Sequence, residues 1–219
     1  MKNCHPPQNR NMHRIVPIAC AIGLAVAFVA TAAQPIHAHG VTPPPVPANI
    51  QVPAGSRAFL VGHAFGTQNY ICLPSATGVA WTLFGPQATL FNDDDRQIIT
   101  HFFSPNPFES GTPVRATWQH SRDTSAVWAR ALDSSTDPKF VAAGAIPWVL
   151  LKVVGSEEGP TGGDTLTAAT HIQRLNTRGG VMPSTGCSLS TNIGARAYVP
   201  YTADYFFFRQ AAAESDDED

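Results

Sequence analysis

Charge is scarce in this 219-residue chain: 14% of the residues are Asp, Glu, Lys or Arg, against 43% hydrophobic. With 14 basic residues to 16 acidic ones, no basic footprint for nucleic acid can form. Long apolar runs are also missing, because the longest, Ile15 to Ala30, falls short of the roughly 20 residues that span a bilayer comfortably. No segment of useful length carries a 3.6-residue apolar stripe, which argues against a helical body, and no internal repeat is visible. The chain has no G-x-S-x-G elbow, no H-E-x-x-H, no P-loop and no G-x-G-x-x-G. Sequence support is therefore absent for an α/β serine hydrolase, a zinc protease, a nucleotidase or a dinucleotide enzyme.

What stands at the N-terminus is a leader. Lys2, Arg10 and Arg14 precede the apolar run, and small residues follow it, the order of a secretory signal peptide. Cleavage falls near Ala32 or near Ala38; the small-x-small rule favours the earlier site. The later one would leave His39 as a new N-terminus whose amine and ring could chelate copper. Cys20 follows Pro17-Ile18-Ala19, a poor lipobox. The expectation is export by the general secretory route to the periplasm or the medium, with no membrane span after cleavage. Removing the leader takes three of the 14 basic residues and none of the 16 acidic ones, for a mature charge of about −5. Five of those acids lie in the last residues, Glu214 to Asp219, so residues 210–219 read as an acidic disordered tail.

Cysteine is sparse as well. Of four, Cys4 and Cys20 leave with the leader, and Cys72 and Cys187 remain. In an oxidising compartment a lone pair is most simply a disulfide, worth about 4–5 kcal/mol for a loop this long. A redox or metal pair is the alternative, without CxxC spacing to support it.

Residues 39–55 form a proline-rich lead-in, VTPPPVPANIQVP from Val41 to Pro53, which should be extended and space the domain from its leader. Residues 56–209 then break into short β-rich runs punctuated by Gly, Pro, Asn and Asp: 58–65, 68–73, 79–84, 88–91, 97–103, 114–119, 126–132, 146–154, 166–175, 195–199 and 201–208. This spacing predicts one all-β domain, a mainly antiparallel sandwich or partly closed barrel with little helix. Asn92-Asp93-Asp94-Asp95 reads as a hairpin turn; it lacks the twelve-residue loop of a calcium site. Ile146 to Val154, IPWVLLKVV, is apolar on both strand faces and belongs in the middle of the core.

The chemistry-bearing residues are few. Within the domain the histidines are His63, His101, His120 and His171, whose separations carry no ligand signature. Trp81, Trp118, Trp128 and Trp148, with the tyrosines, could line a sugar-binding face or fill the core. The densest polar stretch is Thr170 to Cys187, where His171, Gln173, Arg174 and Asn176 lie in a strand that runs into a Gly179-Gly180 hairpin turn. Alternation puts Ile172, Arg174 and Asn176 on one face and His171, Gln173 and Leu175 on the other. If the last strand is a neighbour, Arg174 could pair with Asp204; if its fork faces a cleft, it becomes a site for an anion or carboxylate.

Six blocks resemble a known family: GVAWTLFGPQATLF (Gly78 to Phe91), RQIITHFF (Arg96 to Phe103), TWQHS (Thr117 to Ser121), GAIPWVLLK (Gly144 to Lys152), HIQRLNTRGGVMPSTGC (His171 to Cys187) and VPYTADYFFF (Val199 to Phe208). Together, over about residues 50 to 208, they are similar to a family of exported bacterial and fungal proteins catalogued only as a domain of unknown function. The resemblance implies a secreted single domain and no assigned catalytic residue. Some fungal members carry a malate dehydrogenase label, which the missing nucleotide-binding glycine motif does not support as chemistry here. SPNPFESGTPVRA, after Phe103, departs from the family pattern and changes the separation of His101 and His120.

The expected function is a non-catalytic extracytoplasmic binding or envelope-associated domain, monomeric, requiring no cofactor and taking a glycan or cell-envelope component. The alternative is a secreted histidine-based, metal-dependent enzyme acting on a small molecule or polysaccharide. The candidate binding residues are Arg174, His171, Gln173, His101, His120 and Trp118; no metal ligand and no catalytic residue is assigned.

Overall fold

The computed structural model describes residues 40–211; the expected leader, His39 and residues 212–219 of the expected acidic tail lie outside them. Eight strands follow one another in chain order: β1 (Ser56–Ser75), β2 (Gly78–Phe91), β3 (Gln97–Pro105), β4 (Val114–His120), β5 (Ala126–Ser135), β6 (Trp148–Glu157), β7 (His171–Gly179) and β8 (Arg196–Gln210). Each pairs antiparallel with the next, and β1 pairs with β8, so the sheet closes. The fold is thus all-β, and a closed barrel rather than a sandwich or a partly closed one. Helix among the described residues amounts to two three-residue turns, Ala48–Ile50 and Ser190–Asn192. Closure removes every sheet edge, and eight strands leave an interior that side chains fill or that holds one small ligand.

Several runs that read as separate strands are single long ones. The break expected at Gly66-Thr67 disappears because Gly66 runs against Ala88, where a Cβ would come within 2.6 Å. Pro86 and Pro200 are absorbed where their strand lacks a second neighbour: β3 pairs with β2 only from Ala88 onward, and β7 ends at Gly179, opposite Tyr201. A proline there costs no ladder bond. The Asn92–Asp95 turn forms as expected, with Asn92 Oδ1 accepting from the backbone N–H of Asp94 and Arg96 and Asp95 at φ 57°.

Two apolar clusters lie on opposite faces of the wall. The inner one includes Leu90, Ile99, Trp118, Val127, Ile172, Tyr205 and Phe207. The outer one packs Trp148, Leu150, Leu175, Phe206 and Phe208 under Ile50, with Val41, Val46 and Val52 against it. This explains why Tyr205 to Phe208 and Trp148 to Leu151 are apolar at successive positions: alternate residues enter different clusters. It also corrects the expectation for the lead-in, which is no spacer. Residues 41–52 cover the outer face of β6–β8, and burying Ile50 alone is worth about 1.5–3 kcal/mol.

Gly179-Gly180 is not a tight hairpin. Both residues have positive φ, 64° and 78°, and a Cβ on Gly179 would lie 2.6 Å from the Pro200 carbonyl oxygen. They end β7 and start a long loop that carries Cys187 back to β1, where it is bonded to Cys72 across 115 residues with the Cα atoms 5.6 Å apart.

Candidate functional site

Inside the barrel, alternation and register assemble the polar residues. On β7, Ile172 and Arg174 face inward, while Gln173 and Leu175 face the lead-in. On β8, Tyr201, Ala203, Tyr205 and Phe207 face inward. Arg174 pairs in register with Tyr205 and Leu175 with Asp204. The two strands are neighbours, yet Arg174 and Asp204 are on opposite faces of the wall, so the anticipated ion pair does not form. Asp204 instead meets His63 Nδ1 at 2.7 Å and accepts from Asn176 Nδ2 at 2.7 Å. Asn176 leaves the face of Arg174 because it sits at φ 50° in a bulge between Leu175 and Arg178, which breaks the two-residue period.

Across the lumen, β3 and β4 set His101 directly opposite Trp118. The SPNPFESGTPVRA segment loops out beyond this pair and is held by a two-point ion pair between Arg115 and Glu109. The His101 and Trp118 rings stack at 4.2 Å, nearly parallel, and the Tyr205 ring packs against both. His101 is fully enclosed, and burial pushes its pKa down to about 3, against the opposing pull of its bond to Thr117 and with the help of the Arg174 charge. Because the Thr117 carbonyl can only accept, the proton sits on Nδ1 (2.8 Å) and the ring is neutral. Burial likewise raises the Tyr201 and Tyr205 hydroxyls, which share a 3.2 Å hydrogen bond.

His101, Trp118, Arg174 and Tyr205 line a cavity of about 540 Å³ that opens at one end of the barrel, among Leu83, Phe103 and Val114. The opposite end is closed by Leu166 and Ala169 of the β6–β7 loop. That loop is pinned by Asp123, whose carboxylate accepts from Thr165 and Ser125; these bonds outweigh its burial and hold it well below the usual carboxylate range. Arg174 donates through Nη2 to the Pro147 carbonyl at 2.9 Å, while its Nε has no partner. Trp118 Nε1 and Gln68 Nε2 are also without partners; Gln68 lies close enough to the Tyr201 hydroxyl to influence its acidity without reaching hydrogen-bond geometry. An unanswered buried donor costs about 1–3 kcal/mol, so three around one cavity are a feature to explain.

Of the candidate residues, Arg174, His101 and Trp118 come together in this lumen. Gln173 does not join them: it is buried on the other side of the wall, donating to the Ile50 carbonyl at 2.7 Å. His171, opposite Lys152, is on the outer face too, its pKa lowered by burial and by that lysine. His120 ends β4, 2.9 Å from Asp123. The four histidines therefore do not meet, and among the described residues no group of three His, Cys, Asp or Glu could hold a metal ion. Gln68, Tyr201 and Tyr205 were missed as site residues. Gln68 and Tyr205 sit in unremarkable strand alternation; the β7–β8 ladder sets Tyr205 beside Arg174, and only closure of β8 onto β1 brings Gln68 to them. Trp118, Trp128 and Trp148 are buried, so they form no exposed sugar-binding face.

Residues 53–209 match a family model described as a protein of unknown function, DUF3455. No curated protein and no solved structure matches the chain.

Proposed function

The chain belongs to the DUF3455 family, proteins of unknown function, and from that premise we propose that it is an exported binding protein that takes one small molecule into the open end of its barrel. The observation that carries this reading is the apolar-walled cavity of about 540 Å³ with unanswered donors at its base. That volume falls in the range of small-ligand sites, which combine apolar walls with a few convergent polar groups. Binding rather than catalysis is favoured because His101 is held neutral with its proton committed to Thr117, Tyr201 and Tyr205 are pushed away from ionisation, and among the described residues no carboxylate lines the cavity. None of these groups is poised to exchange a proton near neutral pH. Export accounts for the signal-like leader and for a structural disulfide.

Titration with the neutral dye N-phenyl-1-naphthylamine tests the lumen. The expected result is saturable binding at one dye per chain, with emission enhanced, and loss of that binding in Ala131→Trp and Ala116→Trp, which narrow the mouth. Absence of saturable binding, or full binding in both narrowed variants, overturns the reading.

A further inference from the structure

The polar atoms of the cavity also identify the head group of what it holds. Arg174 Nε, Trp118 Nε1 and Gln68 Nε2 are all N–H donors, and none has a partner. Trp118 and Gln68 are 0% and 3% exposed, so bulk water does not answer them. Among the described residues no Asp or Glu lines the same cavity. Three donors, one of them on the Arg174 guanidinium, with no carboxylate beside them among the described residues and with the neighbouring Tyr201 and Tyr205 hydroxyls outside hydrogen-bond geometry, ask for a ligand that is negatively charged and accepts hydrogen bonds.

The count of charges narrows the class. Arg115, at the rim, is engaged by Glu109 through two bonds, and Arg130 is exposed there. Arg174 is then the one cation beside the buried donors among the described residues, and a single guanidinium balances a single negative charge. The wall changes character toward the mouth, where Leu83, Phe103 and Val114 are 43%, 37% and 58% exposed. Apolar side chains left open around an entrance suit an apolar ligand body.

We propose that the lumen recognises an amphipathic monocarboxylate, its carboxylate answered by Arg174, Trp118 and Gln68 and its hydrocarbon lying along Leu83, Phe103 and Val114. The inference rests on the lumen being the binding site. A doubly charged phosphate head would leave one negative charge without a partner in a buried setting, which is costly.

The test is competition. The full chain, disulfide formed and loaded with N-phenyl-1-naphthylamine, is titrated at pH 8 with laurate, dodecanol or dodecyl phosphate, each below its aggregation threshold. Laurate displaces the dye at a concentration about ten- to hundredfold lower than dodecanol, the range set by hydrogen bonds to a charged group. Arg174→Met removes that preference while the dye still binds. Should Arg174→Met fail to fold, Trp118→Phe serves, weakening laurate without weakening dodecanol. Equal competition by laurate and dodecanol, stronger displacement by dodecyl phosphate, or a laurate preference that survives in the variants overturns the carboxylate assignment. All three results leave the lumen reading standing; that reading fails separately, when the dye itself does not bind.

Discussion

The two ends of the lumen are built on the same inward-outward alternation and filled in opposite ways. At the closed end Leu90, Ile99, Leu166, Ile172 and Phe207 are all 0% exposed, and Asp123 locks the loop that covers them. At the open end small and polar residues, Ala129, Ala131, His101 and Arg174, share the inward positions with Trp118, Val149 and Leu151, and the exposed apolar residues Leu83, Phe103 and Val114 stand at the rim. The packed end supplies stability through burial and dispersion; the open end forgoes that packing and leaves buried donors unanswered, the contrast on which the proposed binding role rests.

Truncation inside the closed end is the largest expected effect. Phe207→Ala should lower unfolding free energy by about 3–5 kcal/mol, measured by urea denaturation, whereas Val114→Ala at the rim should stay within about 0.5 kcal/mol. Comparable losses at both positions would abolish the distinction between the ends.

A sharper comparison uses two adjacent residues. Gln173 faces outward and is tied to the Ile50 carbonyl; Arg174 faces inward with its Nε unanswered. Gln173→Ala should cost about 1–3 kcal/mol, because it leaves a buried acceptor without its donor. Arg174→Met should cost less than about 1 kcal/mol, since it removes a partly buried charge that no acid answers and frees only the carbonyl of half-buried Pro147. Melting both variants side by side decides it: a larger loss for Arg174→Met would make that arginine structural.

The smallest effect concerns the outer skin of the closed end, where His63 bridges Asp204 on β8 and Asp93 in the β2–β3 turn at 2.7 and 2.9 Å. Burial alone would lower the His63 pKa, but the two carboxylates outweigh it and raise the value above 6.5. The folded state therefore holds the proton more tightly than the unfolded chain. The stabilisation is complete below about pH 6.5 and drains away as pH rises through the raised value. His171 is shifted the other way, so the informative quantity is the difference between the parent and His63→Gln. The parent should lose more thermal stability than the variant between about pH 6 and 8, and parallel profiles would show that the bridge contributes nothing.

Much of the architecture was legible because strand signals are local. Every run read as β lies in a strand or directly beside one, and a plain two-residue period along β8 separates Tyr201, Tyr205 and Phe207 on one face from Phe206 and Phe208 on the other. The lone cysteine pair needed only arithmetic and a compartment. The errors share a cause: Asn176 was placed with Arg174 because a bulge is invisible to strict alternation. Gln173 was grouped with site residues because nothing local reveals that a proline-rich segment more than 100 residues earlier covers it. The lead-in itself reads as a tether, since Val41, Val46, Ile50 and Val52 are too widely spaced to signal a packed segment.

From the sequence alone follow the β class, the pairing of Cys72 with Cys187, the absence of familiar catalytic motifs and the dense run of polar residues around Arg174. These depend on side-chain chemistry and the two-residue period, both of which are written residue by residue. Closure of the barrel, the choice of a lumen open at one end, and the isolation of Arg174 from Asp204 were decided only by tertiary structure. They depend on strand register and on which face the chain covers, and those are set by contacts between residues far apart in the chain, with the β1–β8 ladder as the step that turns a row of strands into a container.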